Sequence, residues 1–98
     1  MLVLVFNVFG VTQMTQTATL RALHRAACDL VQDDARLSFA VSRLLSEATG
    51  AADDTFAGQD DVREEAWAEK ALGALACHLC DNSTPEVRAW FLAQGFTF

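Results

Sequence analysis

Basic residues are scarce in this chain: seven Lys and Arg stand against thirteen Asp and Glu, and Lys70 is the single lysine. The formal charge of −6 disfavours a nonspecific electrostatic grip on DNA or RNA. Cysteine is sparse and odd in number, since Cys28, Cys77 and Cys80 cannot all pair within a secreted disulfide framework, so a reducing cytoplasm is expected. The apolar run Leu2 to Val11 is too short to span a bilayer. No Lys or Arg precedes it and no small-residue cleavage site follows, which points to a cytoplasmic protein without a targeting segment. Two histidines, no glycine-rich phosphate loop, no nucleophile elbow and no paired-carboxylate motif leave no catalytic set, and no enzyme is expected.

What is present suffices for one folded domain over residues 1–98: hydrophobic residues make up 52% and charged residues 20%. Abundant alanine beside a lone lysine matches the usage of a GC-rich bacterial or phage genome. Charge is uneven along the chain. Arg21, Arg25, Arg36 and Arg43 fall in the first half, and Asp53, Asp54, Asp60, Asp61, Glu64, Glu65 and Glu69 cluster in the middle, which implies a dipolar surface.

Hydrophobic periodicity predicts an all-α or nearly all-α fold, a small four-helix bundle with an apolar N-terminal strand or arm over residues 1–11. Apolar residues recurring at three- and four-residue steps place helices at about 17–32, 34–49, 61–80 and 85–94. The first carries Leu20, Leu23, Ala27, Leu30 and Val31 inward; the second, capped by Asp33 or Asp34, carries Leu37, Val41, Leu44, Leu45 and Ala48, with Gly50 as its stop. Residues 51–60 form the longest connection, and Asp61 with Glu64 resembles a cap for the third helix, whose inward face reads Trp67, Ala68, Ala71, Leu72, Leu75, Ala76 and Leu79. Gly73 within that helix suggests close approach of another. Ser83-Thr84-Pro85-Glu86 begins the fourth helix and Gly95 ends it, leaving Phe96-Thr97-Phe98 as an apolar tail. A strand that is apolar on both faces needs covered edges, so Leu2 to Phe9 is expected to pair with a second chain, making a homodimer, or with the Phe96 to Phe98 tail.

Three constellations bear on chemistry. Cys77-His78-Leu79-Cys80 joined by His24 and Cys28, four apart on one helical face, offers a Cys3His zinc shell; the alternative is that these cysteines are small core hydrophobes. Redox use is disfavoured because Cys77 and Cys80 sit near a helix C-terminus, which favours the neutral thiol. Asp53, Gly58, Asp61 and Glu64 match calcium-loop spacing, yet Ala57 stands where a ligand is needed. The acidic group Asp60, Asp61, Glu64, Glu65 and Glu69 reads either as a solvated helix face or as a partner-binding surface.

Leu37 to Leu79, with Leu-Ser-Phe-Ala-Val-Ser-Arg-Leu-Leu before a variable acidic loop and Ala66-Trp67-Ala68 opening an alanine- and leucine-rich helix, resembles the paired helices of small Pseudomonas proteins of the QslA anti-activator type. The likeness covers under half the chain, which departs from that group in its apolar N-terminus and its Trp90-Phe91 helix. It implies a helical binder that blocks a regulatory protein, with no functional residue to carry across. The expectation is therefore an acidic regulator, of phage or mobile-element character, that inhibits or modulates a larger protein by occupying its surface, without a cofactor. A zinc-binding structural domain on His24, Cys28, Cys77 and Cys80 is the alternative.

Overall fold

The structure is a computed structural model that describes residues 15–98. It has four helices and, among the described residues, no strand: α1 (Gln16–Leu30), α2 (Ala35–Thr55), α3 (Glu64–Asn82) and α4 (Pro85–Ala93). The expected strand or arm at residues 1–11 lies outside the described residues.

Each helix of the core triplet α1, α2 and α3 packs on the other two, and α4 closes against α2. Leu20, Leu23 and Ala27 of α1, Val41, Leu45, Ala48 and Ala52 of α2, and Ala68, Ala71, Leu72, Leu75 and Leu79 of α3 are all buried. Five of these are alanines, whose small side chains let the helix axes approach closely. Among the described residues no buried side-chain nitrogen or oxygen lacks a partner, and the Ser38 hydroxyl donates to the Ala27 carbonyl at 2.9 Å, tying the start of α2 to α1. Leu30, expected in the core, is half-buried at its edge, and Val31, expected beside it, is exposed because α1 ends at Leu30 and Val31 is its C-cap.

Two helix ends follow the sequence closely. Asp34 caps α2 by accepting from the Leu37 N–H at 3.1 Å, and Thr84 caps α4 by accepting from the Val87 N–H at 3.2 Å, with Pro85 in the first helical position. Others differ. α2 runs through Gly50 to Thr55, because Ala48 and Ala52 both continue its buried stripe and the left-handed residue that turns the chain is Gly58, at φ +80°. The connection is thus shifted to residues 56–63. α3 begins at Glu64 with Arg63 at its N-cap and no side-chain cap, so Asp61 does not cap it. Gly73 faces open space, with no atom within 4 Å of where a Cβ would stand, and does not mark a close helix crossing.

The tail is also not a strand. Gly95, at φ +90°, turns the chain so that the Gly95 N–H donates to the Leu92 carbonyl at 2.9 Å and the Phe96 N–H to the Phe91 carbonyl at 3.1 Å. This is a Schellman ending, and its customary apolar contact is supplied by Phe96 and Phe91, both fully buried with ring centroids 6.0 Å apart. Phe96 is thereby a core residue, and its N–H is engaged within the turn.

Candidate protein-binding face

The adjacent starts of α1 and α3 bring two sets of unsatisfied backbone N–H groups, and two positive dipole ends, to one place. Glu65 serves both. From the first turn of α3 its carboxylate accepts from the Gln16 N–H at 2.6 Å, from the Thr17 N–H at 3.0 Å and from the Thr17 hydroxyl at 3.0 Å. The Gln16 and Thr17 backbone N–H groups hold its carboxyl below the ordinary carboxylate range, against a smaller opposing effect of burial. Thr15 adds the local cap, its hydroxyl accepting from the Ala18 N–H at 3.0 Å.

Of the five acids expected to face a partner, two are therefore engaged within the chain. Glu65 is half-buried under α1, and Glu64 pairs with Arg21 at 3.1 Å on the surface. Asp60, Asp61 and Glu69 are exposed, and among the described residues their carboxylates make no hydrogen bond or ion pair. Asp53, the expected first ligand of a calcium loop, lies on α2 and accepts from the Trp67 indole N–H at 2.8 Å.

The outer side of α3 carries two shallow grooves that share Glu69 and Gly73. One, of about 530 Å³, runs over Leu72 and Ala76 to the Phe96, Thr97 and Phe98 tail. The other, of about 550 Å³, runs over Ala66, Ala74 and Cys77 to Phe56. Gly73 lines both, and its missing side chain leaves the space between them open.

Toward its C-terminal end α3 presents Cys77 and Cys80 exposed, with His78 half-buried beside a groove against α2 and α4. Cys28 and His24 are exposed on α1. Among the described residues no group of three or more His, Cys, Asp or Glu side chains is placed to hold a metal ion, so His24, Cys28, Cys77 and Cys80 do not assemble a zinc shell. Nor are Cys28 and Cys77 buried hydrophobes. No helix of the described residues is long and apolar enough to cross a membrane. Comparison of the chain with protein-family models, with curated proteins and with solved structures finds no match in any of the three.

Proposed function

We propose that the protein is a binding regulator of the bacterial or phage cytoplasm that acts without catalysis, occluding a surface of a larger protein, and that the outer side of α3 is its docking face. The observation that supports this reading is the juxtaposition on α3 of an apolar double groove, low at Gly73, with the uncommitted carboxylate of Glu69 on its border. Asp60 and Asp61, in the connection leading into α3, add two further free acids. A basic amphipathic helix of the partner suits such a face: its apolar stripe fills the groove and its cations meet the acids, which also steer encounter. The likeness of Leu37 to Leu79 to anti-activator helices points the same way. Glu64 and Glu65 act here as structural groups.

The test is capture of partners from the native host with the tagged protein, followed by titration of the captured protein with a D60N/D61N/E69Q variant. Binding should weaken about tenfold at low salt and less at high salt, while circular dichroism and the melting midpoint stay unchanged. A folded triple variant that binds as tightly as the parent at low salt would remove α3 from the reading.

A further inference from the structure

The fold uses only one side of α2. Val41, Leu44, Leu45, Ala48 and Ala52 point into the core. On the opposite side Arg36, Phe39, Arg43, Glu47, Gly50 and Asp54 follow one another at steps of three and four residues, so they form a single outward stripe. Phe39 is 72% exposed, more than any other exposed large hydrophobic described. About three turns further along the stripe Gly50 leaves open space of its own, with nothing within 4 Å of its Cβ position.

The charges on this stripe run against the helix. Arg36 stands in the first turn and Asp54 in the last, and α2 has no acid in its first turn and no base in its last. Each charge therefore faces the like-signed end of the macrodipole, an arrangement that destabilises an isolated helix. Neither the Arg36 guanidinium nor the Asp54 carboxylate has a hydrogen-bond or ion-pair partner among the described residues that would offset this. The Arg43–Glu47 contact, at 3.2 Å, is a surface pair of small worth on its own.

We propose that the stripe is a homodimer interface, in which α2 of one copy packs antiparallel on α2 of a second about a two-fold axis level with residue 45. The stripe is self-complementary about that level, since Arg36 and Asp54, Phe39 and Ala51, and Arg43 and Glu47 are each centred on position 45. Antiparallel pairing sets Arg36 across from the partner's Asp54 and Arg43 across from the partner's Glu47, twice over by symmetry. Phe39 lies over the partner's Ala51 and the space at its Gly50. The charges that oppose their own helix now sit beside the opposite-signed end of the neighbouring one. This inference stands independently of the docking face on α3.

The experiment is sedimentation equilibrium of the full chain over a concentration series. The parent should dimerise; R36E and D54R should each weaken the dimer about tenfold by turning two attractions into repulsions, and R36E/D54R should restore it by exchanging the partners. F39S should weaken the dimer regardless of salt. Because R36E and D54R place at each end of α2 the charge its dipole favours, the monomers remain folded by circular dichroism. A parent that stays monomeric into the millimolar range overturns the proposal. So does a dimer indifferent to R36E, or a double variant no tighter than the single ones.

Discussion

The two ends of α3 carry the chain's densest groups of charged and reactive side chains, and the fold treats them in opposite ways. At the start, Glu65 and Glu64 cross to α1, where unsatisfied N–H groups and Arg21 stand within reach. At the end, Cys77 and Cys80 are exposed, and the helix is finished by other residues. The Ser83 hydroxyl donates to the Leu79 carbonyl, and the Arg88 guanidinium donates to the Ser83 carbonyl at 2.7 Å. A cluster that looks dense along a helix thus gains a role only where a second element brings it complementary groups.

The contrast can be broken most forcefully from the middle. Leu75 is fully buried between the two ends, and Leu75→Ala should cost about 2 to 5 kcal/mol in urea unfolding. A single cooperative loss of α1 and α3 signals is expected, and survival of one end alone would mean that the ends are not coupled through this core. Smaller, and specific to the start, is Glu65→Gln: its loss of stability should exceed that of Glu64→Gln, which breaks a solvent-exposed pair worth under about 1 kcal/mol.

The Glu65 effect also has a definite pH sense. Its carboxyl binds a proton less readily folded than unfolded, so its contribution is complete above the unfolded value and disappears as pH falls through the lower folded one. Thermal melts of the parent and of Glu65→Gln should therefore converge in acid and separate toward neutrality. A constant gap across that range would deny the carboxylate its capping role. Smallest of all are changes at the other end. Cys77→Ser and Cys80→Ser should alter stability by less than about 0.5 kcal/mol, and a chelator should leave the melting midpoint unmoved. A chelator-sensitive melt would place a metal where the geometry assembles none.

Local chemistry was readable from the residues. The Leu20, Leu23 and Ala27 stripe and the Gly95 stop depend on neighbours within four positions and stand where the residue pattern put them, and the Asp34 and Thr84 caps come from within the Asp33-Asp34 and Ser83-Thr84 pairs that it offered. What escaped depends on distance or on competition. Glu65 caps a helix that begins 49 residues earlier, a relation with no local signature. Gly50 looks like a stop, but buried Ala52 keeps α2 going and Gly58 takes the turn. Phe96 reads as a trailing apolar residue until the Gly95 turn folds it back onto Phe91. As for the face on α3, its acids were visible as a group, but which of them the fold had already engaged was not.

One consequence of the Glu65 bridge concerns time. The opening amides of a helix ordinarily trade their hydrogens with solvent first, because fraying exposes them at almost no cost. The Gln16 and Thr17 amides are fastened instead to a carboxylate on another helix, so their exchange requires that carboxylate to let go of them. Two amides at the beginning of α1 thus serve as a clock for the Glu65 bridge between the helices and should keep slower time than fraying alone would set.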